Sequence, residues 1–254
     1  MLNLDMKERT VLITGATGQL GRVMALTFAD CNADVIIHYN SNRSKAEELQ
    51  QTIQNMGRKA YIVKADITDQ DSVNAMKEDV AANFKMPDII VDNAVIQYEW
   101  KDLLDQDAGD YYSQFESCVM QTVYMAKAFV PHMKENRWGR IVCTNTECAA
   151  LAEPRNSAYA SAKRGLDGIV RVLAKEIGEF GITVNQVAPG WTISERDRDA
   201  GTQVSESYDS TVPLKRRGTD EEIANMVVFL ASDLAGFTTG AYIPVSGGRV
   251  MPAI

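Results

Sequence analysis

The stretch Val11-Leu12-Ile13-Thr14-Gly15-Ala16-Thr17-Gly18-Gln19-Leu20-Gly21 decides the fold. Its three leading apolar residues read as a strand, its glycines as a turn, and Gln19–Ala29 as an amphipathic helix. Without side chains at Gly15, Gly18 and Gly21, backbone N–H groups can approach a pyrophosphate at the positive end of that helix. Thr17, Gln19 and Leu20 share the turn and are expected to touch the same ligand.

Outward from this turn, apolar runs alternate with helix-length amphipathic segments. The runs are Val11–Ile13, Asp34–Tyr39, Ala60–Ala65, Asp88–Val91, Arg140–Cys143, Ile182–Val187 and Tyr242–Val245. Most are continuous rather than alternating, as in strands covered on both faces. Helical patterns fill Gln19–Ala29, Ser44–Met56, Asp71–Phe84, Asp110–Lys134, Ser157–Glu179 and Asp220–Ser232. Ser44-Lys45-Ala46-Glu47 reads as a capping box, with Gly57 closing that helix. The alternation predicts an α/β fold: one doubly wound, Rossmann-like domain over 1–254, with helices on both faces of a parallel sheet. Thr192–Thr211 is long and polar, so a lid-like insertion is expected around 191–216.

An acid about 20 residues beyond the glycine motif would accept the free ribose hydroxyl of NAD. The second strand ends instead in His38-Tyr39-Asn40-Ser41-Asn42-Arg43. Ser41 and Arg43, just before a helix N-terminus, suit a 2′-phosphate, so NADP(H) is favoured over NAD(H).

The segment Tyr159-Ala160-Ser161-Ala162-Lys163 puts a phenol and an ammonium on one helix face, one turn apart. A free phenol titrates near ~10, and a neighbouring ammonium is expected to lower that value. Tyr159 can then exchange a proton with a carbonyl oxygen as hydride moves to or from the carbon. Thr146, just past the preceding strand, offers a hydroxyl to hold that oxygen.

Bulk composition narrows the partners. The 254 residues carry a net charge of −8, which weighs against nucleic acid and anionic membranes. No stretch approaches the length of apolar chain that a membrane span needs. Met1–Lys7 lacks the basic-then-apolar order of a signal peptide. Cys31, Cys118, Cys143 and Cys148 form no CxxC pair, so no metal site is expected, and free thiols suit a cytoplasmic protein.

These segments resemble the short-chain dehydrogenase/reductase family over almost the whole chain. The supporting motifs are Thr14–Gly21, Lys64-Ala65-Asp66-Ile67, Asp92-Asn93-Ala94, Tyr159–Lys163, Asn185–Gly190 and Val245–Gly248. Length and the ending Pro213–Gly218 through Gly248 look most like the single-domain branch containing 3-oxoacyl-carrier-protein reductases. The resemblance implies a seven-stranded parallel sheet and a homotetramer, or a dimer. It implies Asp66 and Ile67 at the adenine, Asn93 and Ala94 along the cofactor, Pro189 and Gly190 near the nicotinamide, and Lys163 on the ribose.

The chain departs from the family at four places. Gln19 stands where the branch has a glycine, and the spacing through Gly18 is that of a longer, epimerase-like branch. Val95 replaces a glycine, and Thr146 replaces the catalytic serine. Cys118 aligns with the helix asparagine that normally holds a water linking the lysine to solvent. A thiol is a poor substitute; Gln121 is the neighbour that could take over the water.

The expected function is therefore hydride transfer between NADP(H) and a small carbonyl or alcohol. The alternatives are a weakly active or inactive nucleotide-binding member and an epimerase using transient hydride transfer. Carrier-linked substrates need basic docking groups, and Arg137 is placed to be one. The second docking arginine is replaced in Gly178-Glu179-Phe180, and the lid carries more acid than base. A free small molecule is expected.

Overall fold

The computed structural model describes residues 4–252. The first three residues, on which the reading of the N-terminus partly rests, lie outside the described residues.

Seven strands form one parallel sheet: β1 (Thr10–Ile13), β2 (Asp34–Tyr39), β3 (Ala60–Lys64), β4 (Ile89–Asp92), β5 (Gly139–Thr144), β6 (Ile182–Pro189) and β7 (Tyr242–Val245). Their spatial order is β3-β2-β1-β4-β5-β6-β7. Successive side chains leave the sheet on opposite faces, which explains why the apolar runs are continuous. Val11 and Ile13 enter one core, while Leu12 between them enters the other.

The first core is covered by α1 (Gln19–Asp30), α2 (Arg43–Asn55) and α10 (Asp220–Ala231). The second is covered by α3 (Gln70–Asn83), α5 (Gln121–Asn136) and α7 (Ser157–Ile177). Between them in the chain come α4 (Ala108–Phe115), the short α6 (Cys148–Leu151), and, inside the polar segment 191–216, α8 (Glu195–Ala200) and α9 (Glu206–Asp209).

Two local expectations change. Asn42, not Ser44, caps α2: its side chain accepts the N–H of Lys45 at 3.1 Å. Asparagine is at least as good a cap as serine, and it starts the helix earlier. The helix expected over Asp110–Lys134 is interrupted by a π-turn at Glu116–Met120, which contains Cys118.

Strand order reverses between β1 and β4. Ligand crevices of open α/β sheets form at such a point, beyond the carboxyl ends of the strands.

Candidate active site

A cavity of about 620 Å³ opens at that reversal. Among its lining are Gly15, Thr17, Gly18, Gln19 and Leu20 from the turn. Ser41 closes one end, with Asp66 and Ile67 beside it; Asn93 and Ala94 run along the floor; Thr146, Tyr159 and Lys163 stand at the other end with Pro189 and Gly190. Of the residues expected at the site, Gly21 and Arg43 are not in that lining.

Gly21 acts one layer behind. A Cβ there would lie 2.3 Å from the carbonyl oxygen of Gly15, so the helix can approach the turn only without a side chain. Arg43 instead turns along its own helix. Its Nε lies 2.8 Å from Glu47 in an exposed i,i+4 pair. Sequence reading assigned Arg43 to the cofactor, but its nearest carboxylate is one turn away.

The turn is held from behind by His38, for which the sequence suggested no role, and by a network around Thr14. Gly15 donates its N–H to His38 Nδ1 at 3.0 Å, and His38 Nε2 lies 3.1 Å from the carbonyl of Ala65. Nδ1 therefore accepts and Nε2 carries the proton. Burial holds the imidazole down at about 4. Thr14 Oγ1 accepts from the N–H groups of Asn93 (2.8 Å) and Ala94 (3.0 Å), and donates to Gln121 Oε1 at 2.6 Å. The Gln121 amide nitrogen in turn donates to Ala94 and Ser117 carbonyls at 3.0 and 2.7 Å. Gln121 is thus committed to the floor of the cleft, and the expectation that it holds a catalytic water is corrected. Val95 is accommodated, lining the cavity and packing on the second core.

The amide of Gln19 donates to Ile193 O at 2.9 Å, joining the turn to the 191–216 segment. Several ion pairs hold the segment to the body, among them Arg22 with Glu195 at 2.7 Å, buried Arg217 with Asp197 at 2.7 Å, and Arg198 with buried Asp220.

Asp66 accepts both the N–H and the hydroxyl of Thr68, which holds its carboxyl below the usual range. Asp92, one residue before Asn93, is fully buried, and burial pushes its carboxyl up to about 6.

At the chemical end, Lys163 Nζ donates to Thr144 O at 2.6 Å, and Asn145 ties Lys163 O into the strand end at 3.0 Å. Burial works against the Lys163 charge, but Cys118, Tyr159, Cys143 and Asp92 around it outweigh that and raise its value. Tyr159 has its ammonium neighbour 5.7 Å from the ring centroid, and its N–H donates to Tyr98 at 3.0 Å. The expected lowering of the phenol is not found. Burial pushes Tyr159 up, and the pull of Lys163 and the hydrogen bond of Thr146 only partly offset it. Desolvating a phenolate here costs more than the charge pair returns.

A second cavity of about 450 Å³ adjoins Thr146 and Tyr159. Trp100, Trp191 and Tyr208 form its walls. Trp100 stacks on Tyr159 with centroids 6.2 Å apart.

Arg137, the expected docking residue, is exposed. It ends α5 in a left-handed conformation, and one guanidinium N–H donates to Glu179 O at 2.9 Å. Among the described residues no cluster of three His, Cys, Asp or Glu side chains could hold a metal, and no helix is long and apolar enough to cross a membrane.

Comparison with known proteins agrees with this geometry. The family model described as Enoyl-(Acyl carrier protein) reductase matches residues 15–249. A 3-oxoacyl-[acyl-carrier-protein] reductase of Pseudomonas aeruginosa is 34% identical over 249 residues, covering 98% of this chain and 100% of that protein. Its counterpart in Staphylococcus aureus (strain Mu50) is 32% identical over 253 residues, covering 96% and 98%. A gluconate 5-dehydrogenase from Burkholderia cenocepacia, solved with NADP and tartrate, superposes with a TM-score of 0.89 at 25% identity, covering 97% of both chains. A 3-oxoacyl-[acyl-carrier protein] reductase from Brucella melitensis with bound NAD gives 0.88 at 28% identity, covering 99% of this chain and 94% of that one.

Proposed function

Because the chain belongs to the short-chain dehydrogenase/reductase family of NAD(P)-dependent oxidoreductases, we propose that it reduces a small carbonyl compound, or oxidises the alcohol, with Tyr159 as general acid/base. The observation that carries this is the shared lining. Tyr159, Lys163 and Thr146 line the same cleft as the glycine-rich turn.

The cleft fits a dinucleotide. The glycine turn and the start of α1 would receive the pyrophosphate, Asp66 and Ile67 the adenine, and Pro189 and Gly190 the nicotinamide end. When bound, the nicotinamide supplies or accepts the hydride. Thr146 holds the substrate oxygen, and Tyr159 gives it a proton during reduction or takes one during oxidation. Lys163, anchored on Thr144, keeps a positive charge beside the phenol and reaches the ribose.

NADP(H) is the preferred cofactor in this reading. Asn40 and Ser41 line the cleft at the end of β2, and neither opposes a phosphate. The Arg43–Glu47 pair is exposed and screened by solvent, so it holds Arg43 weakly and leaves it free to swing in. The substrate is a free small molecule: the second docking arginine is replaced in Gly178-Glu179-Phe180, and the lid carries an excess of acid. The whole chain acts as one catalytic domain with 191–216 as its lid, in the cytoplasm. Exposed Leu103, Leu104 and Tyr112 favour assembly into a homotetramer or dimer.

Replacing Tyr159 with Phe tests the chemistry. The variant should lose carbonyl reduction by a factor of about 10²–10⁴ while NADPH binding stays near wild type. A variant that keeps most of the rate removes Tyr159 as the acid. The second reading, a nucleotide-binding member of low activity, draws on Cys118 in the π-turn; turnover of any ketone at enzyme-like rates eliminates it.

A further inference from the structure

We propose that the cavity beside Tyr159 takes a compact, uncharged hydroxyketone or the corresponding diol, with Glu147 accepting a hydrogen bond from a hydroxyl next to the reacting carbon. This rests on the hydride-transfer reading above and names the substrate class for that site.

Glu147 directly follows Thr146, and both line the second cavity with Tyr159. Its side chain is buried. Oε1 accepts the Tyr208 hydroxyl at 2.9 Å and Arg249 Nη1 at 2.8 Å. Oε2 is buried and accepts no hydrogen bond among the described residues. A buried carboxylate oxygen without a donor is costly, so a donor brought by a substrate is strongly favoured there. Gly190 leaves the necessary room: a Cβ on it would lie 3.1 Å from Oε2 and 2.6 Å from the Tyr208 oxygen.

Charge then selects among donors. Arg249 is shared between two carboxylates, with Nη1 on Glu147, Nη2 on Glu153 at 2.5 Å and Nε on Thr211 at 3.0 Å. An anionic substrate would add a third negative group around that one cation. Arg249 already compensates Glu147 at Oε1, so an ammonium at Oε2 would set a second cation on the same carboxylate, close to the guanidinium that lies 4.8 Å from the centre of the Tyr208 ring. An uncharged hydroxyl is the donor that remains. A long acyl chain would have to strip water from this ion cluster without replacing its hydrogen bonds. The aromatic walls instead suit the C–H faces of a short or cyclic hydroxylated compound.

The test compares 2-hydroxycyclohexanone with 2-methylcyclohexanone, near-equal in size, using purified protein and NADPH. Acetoacetyl-N-acetylcysteamine represents carrier-linked thioesters, and aminoacetone and acetoacetate the charged alternatives. The hydroxyketone should exceed the methyl ketone about tenfold or more in kcat/KM, mostly through KM. Glu147→Gln should erase most of that ratio, whereas Glu153→Gln, which leaves the Glu147 oxygens in place, should preserve it. The proposal is overturned if the wild-type protein treats the two ketones alike, if the thioester or a charged ketone is the best substrate, or if the ratio survives Glu147→Gln. No turnover of any compound with either NADPH or NADH overturns the hydride-transfer reading beneath it, a distinct result.

Discussion

The backbone N–H of Gly15 donates to Nδ1 of His38 at 3.0 Å, so the cofactor turn leans on an imidazole that must stay neutral. The folded value of His38 is about 4, against ~6.5 when unfolded. Between those values the unfolded chain binds the extra proton, so stability is fully present above pH ~6.5 and is lost as pH falls towards 4. At most on the order of 3 kcal/mol is at stake. Thermal melts should therefore show Tm falling between pH 7 and 5, together with weaker NADPH binding. His38→Asn should flatten that slope; an unchanged slope in the variant would show that other groups cause it.

Tyr159 gives a second pH prediction. Reduction needs the protonated phenol, and burial raises its value above the ordinary phenol range. Reduction kcat/KM should thus lose nothing to Tyr159 through neutrality and decline only above pH ~10. Oxidation, which needs the phenolate, should climb over the same range. A reduction profile with its falling limb centred near pH 7 would mean that cofactor binding reverses the balance between burial and Lys163.

Cofactor preference is read from melting temperatures. NADPH should stabilise the protein more than NADH at equal concentration, because no carboxylate ends β2. Arg43→Ala should narrow the gap by removing the phosphate's cation. Equal or greater stabilisation by NADH defeats the assignment, and an unchanged gap in the variant moves the phosphate to Ser41 and the helix N-terminus.

The sheet was legible because its strands are covered on both faces: Val11-Leu12-Ile13 must be apolar throughout, since alternate residues enter different cores. Most of the cleft's lining was legible because a turn built for close approach to its backbone leaves glycines behind, and Gly15 and Gly18 do line the cavity. The direction of Arg43 was not read, although Glu47 four residues on was visible. A π-turn shifts a helix by one residue without breaking its apolar pattern, so the interruption at Cys118 left no trace in the periodicity. The contact of Glu147 with Arg249 joins residues 102 positions apart, which no local pattern encodes.

Cys118 and Gln121 separate two roles that adjoin on one helix. Gln121 is buried and makes three hydrogen bonds, to Thr14, Ala94 and Ser117. Gln121→Ala should cost about 2–4 kcal/mol, or roughly 5–10 °C in Tm. It should also weaken cofactor binding, because Thr14 and Ala94 frame the cleft. Cys118 acts through its surroundings: it lies in the π-turn among the groups that hold the Lys163 charge. If the thiol leaves proton delivery to Tyr159 slow, Cys118→Asn should raise kcat with a smaller change in KM. The solvent deuterium isotope effect on kcat should shrink at the same time, since the proton step no longer limits turnover. Unchanged kcat and isotope effect in Cys118→Asn would show that the lysine already has another route to solvent. A rise in kcat for Gln121→Ala would contradict its placement as a floor residue.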